Sequence, residues 1–358
     1  MKILYIYEHF DISGGIPKIQ TQKANYLSEE DGYEVVIITD VKNINRHFFP
    51  LNDNIQVEYI QFYHPDFKKS LLNIIKKNQP DVVSCIADTK EFFFLGKEKS
   101  NYKKIAEFHT NYRIIRGFSN IKYNFKNWVK ERIRLFRFLE SAKKYDTFVV
   151  LTQDDKFFFM KYFNSIKVIP NPIQKENPYL NHFSKSAIAI GRLEPVKGFD
   201  KLIDIWKIVS LKYPDWQLNI FGEGPLRDDL NKKIKDLQLE KNITIHKPII
   251  DIYKEYAQSS MHLMTSRYEG FGNVLIEAMS SSIPSIAYNC GGGPDELIEH
   301  GKTGFLIPMG KPERFAEKII EIIENKDLKI KMGHAAREKS KNYTITKIMN
   351  MWADILRK

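Results

Sequence analysis

Short apolar runs of strand length alternate with amphipathic stretches of helix length along most of the chain. KILYIY (2–7), EVVIITD (34–40), VEYIQF (57–62), DVVSCIA (81–87), KKIAEFHT (103–110) and TFVVLT (147–152) carry the strand signal in the first half. Helical stretches separate several of them, for example around 17–30 and over 67–80. Such alternation predicts a mostly parallel sheet with helices on both faces, because a parallel neighbour is reached only through a crossover. KVIPNPI (167–173) reads as an extended boundary segment, since each proline removes a donor and restricts the residue before it. A second alternating set starts at SAIAIGRL (186–193) and runs through WQLNIFG (216–222), ITIHKPI (243–249), MHLMTS (261–266), PSIAYN (284–289) and GFLIP (304–308). With 358 residues the chain exceeds what one core usually supports, so two doubly wound α/β domains of similar size are expected. Sheets of this kind bind ligands outside the carboxyl ends of their strands, and with two domains the natural site is the cleft between them.

Several function classes fall away on composition. Cys85 and Cys290 are the two cysteines, and neither a disulfide framework nor a Cys/His metal spacing is present. A reducing, cytoplasmic compartment is therefore expected. Glu8, His9 and Asp11 arrive too early for a signal-peptide core, and no run of about 18 apolar residues suggests a membrane span. The net charge of +11 fits an anionic substrate or an anionic membrane surface as well as it fits nucleic acid.

The chemistry concentrates in YEGFGNVLIEAM (268–279). The strand before it delivers residues 266–269 to the ligand edge of the sheet. Gly270 and Gly272 let the backbone turn and approach a ligand closely. Asn273 then opens a helix, whose first N–H groups lack intrahelical partners and whose dipole favours an anion. Glu269 and Glu277 flank that start. Carboxylates there suit sugar hydroxyls better than phosphate, so the stretch predicts a site for a nucleotide sugar: phosphate on the helix, hydroxyls on the glutamates. For the two glutamates alone, a helix start made favourable by one acidic residue is the simpler explanation. Arg192 and Lys197, in GRLEPVKGFDKLI (191–203), add a guanidinium fork and a point charge that suit a diphosphate; by themselves they would read as solvated surface cations. SGGIPKI (13–19) offers backbone N–H groups after the first strand but is not GxGxxG, which argues against a dinucleotide site there.

The order GRLEPVKGFD, FGEGPLRDDL, SRYEGFGNVLIEAMSSSIPSIAYNCGGGPDELIEHGKTGFLI resembles the C-terminal domain of retaining glycosyltransferases of family 4. The match is dense from about 168 to 310 and looser in the first half, through KILYIY–SGG and EFHTN. The resemblance implies the GT-B fold: two Rossmann-like domains facing a cleft, over 1–167 and 168–340, with 341–358 a helix crossing back to the first. It implies that Glu269 contacts hydroxyls of the transferred sugar and Glu277 the ribose. Gly270, Phe271, Gly272, Asn273 and Val274 belong to the same donor-binding loop, and the last four would offer main-chain N–H groups. Arg192 and Lys197 would hold the diphosphate, Gly14 and Gly15 would allow approach to the phosphates, and His109 would point at the donor sugar. A structural, hydrogen-bonded histidine is the alternative for His109. The family usually has a glycine after the strand matching ITIH, where this chain has KPI, so base recognition around His246–Pro248 departs from the pattern.

The resemblance further implies retention of configuration, an α-linked product, no cofactor beyond the nucleotide-sugar substrate, and no metal, in keeping with the absence of D-x-D. UDP is the favoured nucleotide, with GDP the alternative. Residues 113–144 carry ten Lys/Arg and two Glu, with Phe125, Trp128, Val129, Ile133, Phe136 and Leu139 at helical spacing. Such a stretch suits an anionic membrane surface, and equally a core-facing helix with a basic outer face. The acceptor expected is a glycan or lipid-linked glycan of cell-surface polysaccharide or lipopolysaccharide, handled peripherally at the inner face of the cell membrane. No nucleic-acid module is present. A nucleotide-sugar epimerase and a non-catalytic sugar-nucleotide binder are the competing classes.

Overall fold

A computed structural model describes residues 1–44, 47–115, 125–173 and 184–357. It divides into two compact units, Met1–Asn171 with Ile348–Lys358, and Pro172–Lys347.

The first unit runs β1 (Lys2–Ile6), α1 (Gly15–Glu29), β2 (Glu34–Asp40), β3 (Gln56–Ile60), α2 (Phe67–Asn78), β4 (Val82–Ile86), α3 (Lys90–Leu95), β5 (Lys103–Phe108), α4 (Tyr112–Ile115), α5 (Phe125–Ala142), β6 (Thr147–Val150), α6 (Gln153–Phe159) and β7 (Ile166–Val168). Its sheet has the order β3-β2-β1-β4-β5-β6-β7, all parallel. Val35, Val36, Ile37 and Ile38 are all buried, as a central strand covered on both faces requires. An aromatic core fills one side, where Phe108 and Phe159 meet edge to face at 5.1 Å. The extended segment expected to begin the boundary starts instead as the edge strand β7, which pairs with β6.

The second unit runs β8 (Ser186–Ile190), α7 (Phe199–Lys212), β9 (Gln217–Phe221), α8 (Arg227–Asp236), β10 (Ile243–His246), α9 (Tyr253–Ala257), β11 (Met261–Met264), α10 (Asn273–Ser280), β12 (Ser285–Asn289), α11 (Gly293–Leu297), β13 (Gly304–Pro308), α12 (Pro312–Glu324) and α13 (Lys326–Ser340). Its parallel sheet has the order β10-β9-β8-β11-β12-β13. The order reverses at β8/β11, the switch point where doubly wound sheets open a ligand crevice. Helix α13 lies outside the sequence-based expectations; Asn325 caps it, its Oδ1 accepting from Leu328 N at 2.9 Å.

The last helix, α14 (Ile345–Arg357), packs within the first unit from Ile348 onward. Trp352 and Leu356 are buried there, and Arg357 Nε donates to the Tyr33 hydroxyl at 3.3 Å. Of the basic stretch 113–144, residues 116–124 lie outside the described residues. Helix α5 buries Leu135, Phe138, Leu139 and Ala142, whereas Trp128, Ile133 and Phe136 are 43%, 54% and 65% exposed. The expected apolar face therefore divides: Leu139 joins the core, and three of the other side chains stand on the basic outer surface. No helix among the described residues is long and apolar enough to cross a membrane.

Candidate active site

Two loops at the carboxyl edge of the second sheet are tied together by backbone and side-chain bonds. The first follows β8 and ends in a 3-10 turn, Pro195–Lys197, and Gly198. The second follows β11. Thr265 Oγ1 donates to Gly198 O at 3.0 Å, and Arg267 N donates to Val196 O at 2.7 Å. The Arg267 guanidinium also donates to Pro195 O and pairs with Asp200 at 2.9 Å. Gly198 has φ +67°, and a Cβ there would stand 2.2 Å from Thr265 O. Only glycine lets the two backbones come this close.

The clamp brings Lys197 against Glu269. Lys197 Nζ lies 2.6 Å from Glu269 Oε1, and Ser266 Oγ donates to the same oxygen at 2.6 Å. The two charged side chains are 21% and 10% exposed, so the pair is largely sheltered without being sealed from water. Oε2 of Glu269 makes no hydrogen bond among the described residues. An ionised carboxylate only accepts, so this oxygen is suited to ligand hydroxyls.

Helix α10 starts immediately after. Its N-cap, Gly272, has φ +84°, and Gly270 O is fixed by the Gly293 N–H at 3.0 Å. Phe271 is buried and packs edge-on against Tyr343 at 5.7 Å, which holds the loop's shape from below. Asn273 and Val274 are half-buried in the first turn. Glu277 lies one turn further, 6% exposed, and accepts from the Tyr256 hydroxyl at 3.2 Å; the same hydroxyl lies 3.0 Å from Val274 O. Burial, reinforced by the Glu277 charge, holds the Tyr256 phenol well above its usual range, so it stays a neutral donor.

Arg192 sits in the first loop but is exposed, with Nη1 3.0 Å from Glu194 Oε1. Among the described residues its charge partner is Glu194 rather than the Lys197–Glu269 pair. His246, at the end of β10, stacks on Phe221 at 4.6 Å and bonds Asn219 Oδ1 at 2.8 Å. Beneath the site, His262 is fully buried beside Ser285, and burial pushes its imidazole down to about 3. Burial likewise pushes the Cys290 thiol up to about 12, which makes it inert as a nucleophile. Among the described residues no three His, Cys, Asp or Glu side chains gather as metal ligands.

In the first unit, Gly14 is the N-cap of α1 and Gly15 its first residue. His109 follows β5, and its Nε2 is 3.0 Å from Glu107 Oε2. Glu107 is buried and meets the equally buried Lys23 at 2.6 Å. Burial works to raise the carboxyl, but the Lys23 charge and the bonds from His109 and Lys23 outweigh it and hold Glu107 well below the usual range.

Tyr256, Thr265, Arg267 with Asp200, and the Lys23–Glu107 pair are absent from the sequence-based site. The signals for the last pair lie in the sequence. Glu107 is a charge inside the apolar strand KKIAEF, and Lys23 shares a helical face with Gln20 and Leu27. For Tyr256 there is no such signal, because its partner lies 21 residues away on another helix.

Residues 172–339 match the family model described as Glycosyl transferases group 1. An uncharacterized glycosyltransferase of Haemophilus influenzae is 27% identical over 359 residues, covering 99% of both chains. The amylovoran biosynthesis glycosyltransferase AmsD of Erwinia amylovora is 28% identical over 368 residues, again covering 99% of each. Among solved structures, S. aureus TarM in complex with Fondaparinux, alpha-GlcNAc-glycerol and UDP superposes with a TM-score of 0.69 at 26% identity. That match covers 80% of this chain and 58% of the TarM chain, so this protein spans under three fifths of its length. The two parallel sheets are those of a GT-B fold. The group 1 match over residues 172–339, together with these relatives, supports the GT-B glycosyltransferase superfamily for the chain.

Proposed function

We propose that the protein is a metal-independent, retaining glycosyltransferase of family 4. It moves a sugar from a nucleotide sugar, a UDP-sugar first and a GDP-sugar second, to a glycan or lipid-linked glycan with an α linkage. The observation that carries this reading is the Lys197–Glu269 pair beside the start of α10: a cation for a leaving diphosphate and a carboxylate for sugar hydroxyls on one clamped edge. The UDP in the TarM complex and the polysaccharide role in the AmsD name support the donor and product class.

In this mechanism the diphosphate sits at the α10 N-terminus on N–H groups of Phe271 to Val274, with Lys197 and Arg192 stabilising charge as the C1–O bond breaks. The acceptor oxygen bonds to C1 on the face the diphosphate leaves, and its proton passes to the departing phosphate oxygen. Glu269 accepts from hydroxyls of the transferred sugar, and Glu277, held by Tyr256, accepts from the ribose. His109 contacts the sugar, and Gly14 and Gly15 serve the phosphates. The acceptor lies at the inner face of the cell membrane. The exposed Trp128, Ile133 and Phe136 among the cations of α5 suit an anionic surface there.

Titration of UDP and uridine against wild type and Glu277→Ala tests the ribose contact. A drop of about tenfold in affinity for both ligands, the worth of one bond to a charged acceptor, is expected. Unchanged affinity overturns that assignment.

A further inference from the structure

Glu107 receives hydrogen bonds from several side chains of the first unit, and none of the roles above uses it. Lys23 Nζ lies 2.6 Å from both of its oxygens. Ser84 Oγ donates to Oε1 at 2.7 Å, Gln20 Nε2 donates to Oε2 at 2.9 Å, and His109 Nε2 stands 3.0 Å from Oε2. Glu107 and Lys23 are each 1% exposed. The Trp352 ring of α14 covers the ammonium at 3.6 Å, and Tyr5 lies 5.0 Å from it. A buried ion pair adds little stability over an apolar pair of equal volume. Convergence of four donors on one carboxylate is better explained by the orientation it imposes.

We propose that Glu107 is a positioning residue that fixes the His109 tautomer, so that Nδ1 accepts a hydrogen bond from a hydroxyl of the transferred sugar. This rests on the donor-sugar role given to His109 above. The ionised carboxylate can only accept, so Nε2 must carry a hydrogen, and in the neutral form of the ring Nδ1 keeps the lone pair. Nδ1 has no partner among the described residues. Lys23 keeps Glu107 charged, and Trp352 keeps Lys23 from water, so α14 takes part in setting a proton on a ring in the loop after β5. Gln20 and Lys23 are on α1, the helix that begins at Gly15, so the same carboxylate also sets that helix's rotation.

The test uses the full chain, with UDP release from UDP-glucose and UDP-N-acetylglucosamine as the activity and UDP titration as the binding readout. Lys23→Met/Glu107→Leu replaces the pair by apolar groups. Turnover should fall about 10- to 100-fold, as for a misoriented group, with UDP affinity unchanged. In 15N-resolved spectra His109 should lose its single Nε2–H tautomer. Adding His109→Ala to this background should cost nothing further, since the residues act as a unit. Lys23→Met/Glu107→Gln is a milder change that keeps an acceptor oxygen toward Nε2; it should recover most of the turnover and the tautomer. If His109→Ala alone abolishes turnover while both double variants match wild type, the positioning role is overturned and the His109 role stands. If His109→Ala alone changes nothing, the parent role falls and this inference falls with it.

Discussion

Replacing Glu269 by glutamine separates two jobs that its ion pair now joins. In the protein as folded, Oε1 accepts from Lys197 and Ser266 at 2.6 Å each. A diphosphate that recruits Lys197 must draw it from this carboxylate. The pair is partly exposed, so the attraction to be overcome is about 1–2 kcal/mol rather than the larger value of a sealed site. Glutamine keeps the shape and one acceptor oxygen but removes the charge, freeing Lys197. UDP affinity should stay constant or tighten by up to about tenfold. Sugar transfer should move the other way. A bond from a sugar hydroxyl to a charged acceptor is worth about 1–1.5 kcal/mol more than one to a neutral acceptor, so losing the charge at one or two such bonds lowers kcat by about 10- to 100-fold. Calorimetry with UDP and a donor-turnover assay on the same preparation measure both effects. Equal loss of binding and turnover, or turnover within a few-fold of wild type, would refute the division of roles between Lys197 and Glu269.

Three other outcomes follow from the same geometry. Gly198→Ala forces a Cβ against Thr265 O at a positive φ, and should raise KM for the donor and lower stability by about 2–3 kcal/mol in urea unfolding. Tyr256→Phe removes the single hydroxyl hydrogen shared between Glu277 and Val274 O; a rise of a few-fold in donor KM with nearly constant kcat, about 1 kcal/mol, is expected in steady-state kinetics. His262 is held neutral down to about 3, whereas an unfolded histidine protonates near 6.5. The unfolded chain therefore binds the extra proton first, and stability falls as pH drops below about 6.5, by about 2 kcal/mol at pH 5. His262→Asn should remove that part of the acid sensitivity in urea unfolding compared at pH 7 and pH 5.

The alternation of strands and helices is readable because buried parallel strands need continuous apolar runs, as in Val35–Ile38. The edge strand β7 is three residues beside two prolines, and such a strand leaves almost no periodic trace. Helix α13 is polar along most of its length, so its period is weak. At the site, the sequence places Glu269, Lys197 and the glycine loop after their strands at the carboxyl edge of the sheet, because they are close in sequence to β8 and β11. It does not reveal that Lys197 and Glu269 bond each other, because 72 residues separate them and the Thr265 and Arg267 bonds that align them are tertiary. Arg192 was readable as a cation but not as the partner of Glu194 two residues on. The six residues expected as one apolar face of 113–144 share a helical period, yet Leu139 is buried and Phe136 exposed, because the sheet presses on a neighbouring face of α5.

On the proposed reading, the edge formed by Lys197, Glu269 and α10 binds a nucleotide sugar and activates it for transfer. The most direct measurement is ligand-observed NMR and nucleotide release with a panel of UDP- and GDP-sugars, for wild type and Lys197→Ala in parallel. One donor is expected to bind and slowly release its nucleotide, and Lys197→Ala to suppress both. Binding of no donor, or release that is indifferent to Lys197, would contradict it.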